Sequence, residues 1–492
     1  MSLNHKVSNL RFTQYFYVHG NIAPFTGGWF RHWYQDRWTD WNKLGSSVIN
    51  VLDFGAKGDG TRADESPYLQ KALDQGGKEV YIPGGTYRIQ RTLRVKSGTR
   101  IKMDANTTIL RNDDIDCIFL LDPGSNVSGY NGISDVFIEG GNLNLNKYVF
   151  PNRCTGIAFS HSRRVTIEKI KMVDCPIGSH FIKIHGSHHV RVRDCYLENS
   201  EDEAIQIASS ENQGQFPWYG SYDQTVCHDV AIEGCRFDTV GSAVRSVRPT
   251  NNIVHYSTRL LNCHIYGVRA AAIHFDQSER CIIENNYIAQ CFAGIVMVDS
   301  AFNSVVSNNI IRVTDGGTNG YGIYVKSDNG TASTMVISGN NLSNMADTGI
   351  RIENAYRITL IGNSIRTCGL HGIGLYNTED STVANNTVTF CTQHGIYLAT
   401  ASENTISGNL SKDNQRTGAS AGHANIRVVI NSHNNNIQGN TVRAGTYTDY
   451  GISVTNTCVG NMITNNDCYN GGKVANFQNN GLGTITTAGN RT

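Results

Sequence analysis

Ionisable side chains crowd into one part of this sequence, between residues 181 and 276, and their types fit the breaking of a sugar–sugar bond. Hydrolysis of a glycosidic bond needs a carboxylic acid to protonate the leaving oxygen and a carboxylate to activate water or attack, about 5 to 9.5 Å apart. Glu203 and Asp276 are the candidate pair, with Asp202 as the substitute for Glu203. β-Elimination from a uronic acid needs instead a base for the C5 proton and a cation for the enolate-like charge. Lys183, Arg245, Arg248 and His274 supply those groups, with His185 nearby. Residues 209–227 read as a long insertion carrying Phe216, Trp218, Tyr219 and Tyr222. Sugars stack on aromatic faces and bind charged groups through their hydroxyls, so Trp218, Tyr219, His185, Gln206, Arg248 and Glu201 are expected to contact substrate. An outward charge on an elongated fold is more often merely solvated, and the clustering argues more strongly than any single member. His188 and His189 read as a surface turn pair, and Asp113, Asp114 and Asp116 as a turn lacking a calcium-loop pattern.

What brings residues so far apart in order together is a repeat. Gly, Ile, any residue, apolar recurs at Gly156, Gly294, Gly322, Gly349, Gly372 and Gly395. A second short β segment follows, ending in Asn at 286, 309, 340, 363, 386, 409, 440 and 466, with a period of 23 residues or, where eight are inserted, 31. A fixed period of this length marks a solenoid with one repeat per coil. Strand alternation turns the two apolar residues inward and the residue between them outward. Aligning the coils gives an outward column through Ala158, Lys183, Gln206, Arg245, His274, Val296, Tyr324, Arg351, Gly374 and Tyr397, and a second through His185, Ala208, Val247 and Asp276. Coils stack about 4.8 Å apart, so Glu203 and Asp276, two coils apart, are expected about 9 to 10 Å from each other. The recurrent Asn suits a left-handed turn and a ladder of stacked amides. Cys195, Cys235 and Cys263 take the same corner earlier and read as structural.

The rest of the chain frames this body. Residues 1–47 hold four of the five Trp and read as an aromatic docking or neck segment. Residues 48–98 read as a capping segment in which a short helix, with Tyr68, Leu69, Ala72 and Leu73 on one face, follows Asp64 and stops at Gly76-Gly77. Residues 99–475 form the solenoid and 476–492 a tail. With 42 Lys and Arg against 41 Asp and Glu, the net charge is +1, which leaves no field to hold nucleic acid. No run of 18 apolar residues suggests a membrane span, and the first residues do not form a secretory leader. The thirteen Cys, odd in number and without a CxxC pair, are expected to be free and buried. No cofactor or metal is expected.

The stretch from Asn50 to Tyr87, with Phe54 to Gly60 (FGAKGDG), Asp64, the helix around Leu69 to Leu73, and Val80 to Tyr87 (VYIPGGTY), resembles the entry signature of the pectate-lyase-like superfamily. That resemblance implies an all-β, right-handed, single-stranded parallel β-helix with an amino-terminal capping helix. The superfamily includes pectin and alginate lyases, polygalacturonase-like hydrolases, uronan epimerases and bacteriophage tailspikes or appendages, so fold alone does not choose a reaction. The aromatic segment ahead of the cap resembles the neck by which such spikes join a virion, usually as homotrimers. The expectation is a tailspike-like depolymerase, virion-borne or extracellular, cleaving a bacterial capsule, O-antigen or other cell-wall glycan, with hydrolysis placed ahead of elimination. A non-catalytic receptor-binding spike and a secreted pectate-lyase-like enzyme or epimerase are the alternatives.

Overall fold

The computed structural model describes residues 48–492 apart from 125, 212–219, 251–252, 301, 314–319, 329–332, 417, 419–421 and 487–488. Before residue 48 it describes the backbone of strands Phe12–Val18, Gly27–Tyr34, Arg37–Trp38 and Asn42–Lys43, which pair antiparallel in a small sheet of their own. The aromatic side chains expected to dock there lie outside the described residues.

From residue 48 onward the chain is a right-handed parallel β-solenoid of about 15 turns. Each strand pairs in parallel with its equivalent one coil away. Thus Thr155–Ser160 pairs with Ile182–His185, which pairs with Glu203–Ala208, then Ser242–Ser246 and His264–Asp276. Inward residues such as Phe159, Ile184, Ile207 and Phe275 are fully buried in one continuous core, because alternation sends every second side chain to the same side. The expected capping segment already contributes to the coil: Val48–Asn50 pairs with Glu79–Ile82, which pairs with Arg100–Met103. The helix, Ser66–Leu73, buries Leu69, Ala72 and Leu73, and the Asp64 carboxylate accepts from the Ser66 backbone N–H at 2.9 Å. The expected tail is also part of the solenoid. Ala475–Asn479 pairs with Tyr450–Val454, and Asn490 extends the amide ladder, so regular coiling passes the boundary expected at 475.

The Asn ladder is continuous from Asn286 to Asn490. Asn363, for example, accepts through Oδ1 from the backbone N–H and Nδ2 of Asn340 at 3.0 and 2.9 Å, and gives its own Nδ2 to Ile337 O and Asn386 Oδ1. Each ladder Asn pairs its side-chain donors and acceptor away from water. The left-handed turn residue is not this Asn but the one before it, Asn285, Asn308, Asn385 or Asn465, each with φ between 55° and 57°. Two neighbouring roles, one conformational and one hydrogen-bonding, are therefore compressed into adjacent Asn positions. Cys195, Cys235 and Cys263 do continue the same corner, and the Cys263 backbone N–H donates to Asn286 Oδ1 at 2.9 Å. All thirteen Cys are free and buried. Arg111, with no exposed surface, ties its guanidinium to the Asp113, Phe150 and Asn152 carbonyls and the Asp114 carboxylate, so that acidic turn is a structural clasp. His188 opens the strand His188–Arg193 rather than a turn, and its ring stacks on His228 at 4.7 Å, which stacks on Tyr256 at 4.8 Å.

Candidate functional site

The outward column forms as strand alternation requires. Lys183 pairs with Gln206, Gln206 with Arg245, Arg245 with His274 and His274 with Val296. Outward does not mean exposed at its lower end, where Lys183, His185 and Gln206 keep only 3, 8 and 7% of their surface. Glu203 begins the same strand three residues before Gln206 and turns its carboxylate toward this column. Its Oε1 accepts from Arg245 Nη1 at 2.9 Å, and Oε2 lies 3.4 Å from His180 Nδ1. His180 also holds the Glu203 carbonyl at 3.0 Å. His185 Nε2 stands 3.5 Å from Gln206 Oε1. Lys183, Glu203, Gln206, Arg245 and His185 are thus brought together.

Burial governs the electrostatics of this group. It pushes the Lys183 ammonium down to about 7, helped by the charge of Arg153 and opposed by Glu203. Burial would by itself raise the Glu203 carboxyl, but His180 and Arg245 reverse that and hold it below the ordinary glutamate range. His180 is pushed below the usual histidine range by burial and by Lys183, with Glu203 pulling the other way. Of these two neighbours, Arg245 is the one that carries a permanent charge, and it keeps Glu203 ionised. His185 lies well below the usual range through burial and Lys183.

Other expected members stand elsewhere. Asp276 is not within the 9 to 10 Å of Glu203 expected from stacking. Glu203 is paired with Ser242, while Val244 is paired with Ile273, so Asp276 lies five positions further along the strand direction as well as two coils up. At about 3.3 Å per residue that is roughly 16 Å along the strand, and with about 10 Å across it the pair is ~19 Å apart. Stacking distance is the separation only for residues in one column. Asp276 Oδ2 instead faces His274 Nε2 at 3.5 Å at the far edge of the sheet. Arg248 leaves the group to pair with Asp299 at 2.7 Å, and Glu201 binds Lys147 at 2.9 Å and Arg269 at 3.2 Å. Asp202 caps the backbone N–H of Gly178, in the turn that also carries His180. Trp218 and Tyr219 lie outside the described residues. The end of the insertion is held down where Ser221 O meets His161 Nε2 at 2.8 Å and Tyr130 donates to Val226 O at 2.9 Å. His180 and Arg153 are site residues that sequence reading missed. His180 was visible as the residue one 23-residue period before Glu203. Among the described residues no group of three or more His, Cys, Asp or Glu side chains is arranged to hold a metal ion, and no helix is long and apolar enough to cross a membrane.

This coil geometry, with its polar column above a capping helix, defines a pectate-lyase-like β-helix protein. Residues 48–320, more than half the chain, match the family described as rhamnogalacturonase A/epimerase, pectate lyase-like, and the chain belongs to it. Residues 312–468 match a right-handed beta helix region, and residues 1–43 match the third domain of the XkdV protein of the phage-like element PBSX. Among curated relatives, plasmin and fibronectin-binding protein A of Streptococcus pneumoniae is 26% identical over 288 residues, covering 49% of this chain and 39% of that one. The preneck appendage protein of Bacillus phage PZA is 23% identical over 278 residues, covering 53% and 30%. The chain therefore spans well under half the length of these relatives. Of solved structures, the S. pneumoniae adhesin PfbA superposes with a TM-score of 0.58 at 19% identity, covering 76% of this chain and 93% of that one. A mutant tailspike protein of E. coli bacteriophage HK620, in complex with a hexasaccharide, superposes at 0.54 and 16%, covering 89% and 80%. These likenesses are of fold.

Proposed function

We propose that this protein binds and cleaves an acidic polysaccharide of the bacterial surface, and that it does so by β-elimination. The observation that carries the reading is Lys183. Its ammonium loses its proton near neutrality, and it sits two coils from Arg245 on one column. A neutral amine is the base that elimination needs, and a base works best when its pKa lies near the working pH. In the proposed step Lys183 takes the C5 proton of a uronate. The C–H electron pair becomes the C4–C5 double bond, the C4–O bond breaks, and the departing oxygen takes its proton from the Lys183 ammonium just formed. Arg245 stabilises the developing enolate-like charge.

What moves elimination ahead of hydrolysis is that Glu203 and Asp276 stand five strand positions and two coils apart along the backbone, with the Glu203 carboxylate held by Arg245 and His180 and that of Asp276 facing His274. Hydrolysis remains the second reading because Asp202 and Glu203 both bond to the 178–180 turn, which keeps two carboxylates in one neighbourhood. The preneck appendage relative and the match of residues 1–43 to a phage-like element protein support service on a phage tail. Incubation with a panel of uronate-containing capsular and O-antigen glycans tests the reading by product mass. Shortened chains that absorb in the ultraviolet and carry no added water are expected. Water-added fragments would establish hydrolysis, and binding without shortening would leave a receptor-binding spike.

A further inference from the structure

The outward column does not end at the cleavage group. It continues through Tyr324, Arg351, Gly374 and Tyr397 to Arg427, each paired with the next. Nine strand spacings separate Lys183 from Arg427, which is roughly 43 Å along the same face. Gly374 leaves a gap that the Tyr376 ring fills by folding back, since a Cβ at Gly374 would lie 2.7 Å from it. The Arg351 guanidinium lies over that ring at 4.1 Å and is satisfied by Glu353, which also accepts from the Tyr324 hydroxyl at 3.0 Å. Tyr397 stacks on His371 at 4.4 Å. This stretch is charge-balanced.

Arg427 is different. It borders a cavity of about 470 Å³ with Tyr450, Thr455, Asn456, Gln478 and Asn480. Its Nη1 donates to Ser453 Oγ at 2.5 Å, and its guanidinium lies 6.0 Å from the centre of the Tyr450 ring. Among the described residues no ion pair joins it to a carboxylate. A half-buried cation without a counter-charge is costly, and the cost is removed when an anion arrives. The larger cavity beside the capping helix makes the contrast, because there Lys96 faces Asp74, Arg94 faces Asp122 and Arg91 faces Asp64. Three of its cations are already matched.

We propose that the Arg427 cavity is a second saccharide site, separate from the cleavage group, that takes the carboxylate of an acidic sugar. The guanidinium fork matches a carboxylate, the Tyr450 ring offers a stacking face, and the Thr455, Asn456, Gln478 and Asn480 side chains offer both donors and acceptors to hydroxyls. A site at this distance on the same face as the cleavage group would hold a long acidic chain at two points, and two-point attachment raises effective affinity without any new contact.

The test uses the full chain carrying Lys183→Met, so that turnover does not consume the probe and a failure of the cleavage reading leaves the measurement intact. Calorimetric titration with short oligogalacturonate, oligomannuronate and hyaluronan oligomers, and with neutral maltohexaose, is the readout. Saturable binding of at least one acidic oligomer is expected. Arg427→Gln should weaken it roughly tenfold to a hundredfold, the range of a charge-assisted hydrogen bond, with partial recovery in Arg427→Lys and a smaller loss in Tyr450→Ala. Thermal melts identify any variant that fails to fold, and Gln478→Ala then serves as the second lining variant. No binding of any acidic oligomer, equal binding of maltohexaose, or binding unchanged by Arg427→Gln would overturn the proposal.

Discussion

Glu203 and Arg245, 42 residues apart in the chain, are joined at 2.9 Å because their strands are neighbours in the stack. The carboxylate is 14% exposed and the guanidinium 41%, so the acid depends on the base for its charge far more than the reverse. Removing Arg245 would leave a mostly buried anion without its hydrogen-bonded cation.

Arg245→Met is therefore expected to lower stability by about 2 kcal/mol, the usual cost of a lost charge-assisted hydrogen bond in a poorly hydrated place. Denaturant unfolding monitored by circular dichroism measures this. Glu203→Gln, which removes the charge that needs a partner, should cost less.

Lys183 links stability to pH in a stated direction. Its pKa of about 7 lies below the unfolded value, so between about pH 7 and 10.5 the unfolded chain binds more protons than the folded one. Stability attributable to this residue therefore rises as pH increases through that window, and the penalty is full below pH 7. Lys183→Met should stabilise the protein, and its advantage in Tm over the parent should grow as the pH falls from about 10 to 7. An advantage independent of pH would mean that the amine is not desolvated. If Lys183 is the base, kcat/KM of the parent should also rise with pH through about 7.

The distance between Glu203 and Asp276 separates two designs of the cleavage centre. Asp276→Asn is expected to change turnover by less than threefold, while Lys183→Met should lower it by at least about a hundredfold, the usual contribution of a general base. Initial rates on a cleaved glycan from the panel decide this. A loss in Asp276→Asn equal to that in Glu203→Gln would restore the paired-acid hydrolase.

The amide ladder should be unforgiving in its middle. Asn363→Ala deletes two donated side-chain bonds and leaves the Asn340 backbone N–H and amide without their acceptor. A loss of roughly 3 kcal/mol is expected, since buried groups left unpaired cost more than the bonds were worth. The midpoint of guanidinium unfolding reports it. Asn465→Gly, at the left-handed position beside the ladder, should be nearly neutral, because only the backbone conformation is used there.

The repeat alone was enough to specify the coil. A 23-residue period with alternating apolar positions has one stable solution, stacked strands around a shared core, and so the columns of Lys183, Gln206, Arg245 and His274 could be read in order. Even the thiol-to-amide corner from Cys263 to Asn286 was legible, because the period carries it. How far a residue stands along its strand, how deep it lies, and which neighbour its head group reaches became visible in the folded chain. Asp276 left the site for the first reason, and Lys183 acquired its lowered pKa for the second. Arg248 found Asp299, and Glu203 found His180, for the third. Periodicity specifies which residues share a face. Burial and side-chain reach depend on what the surrounding loops bring over that face, and no repeat encodes them.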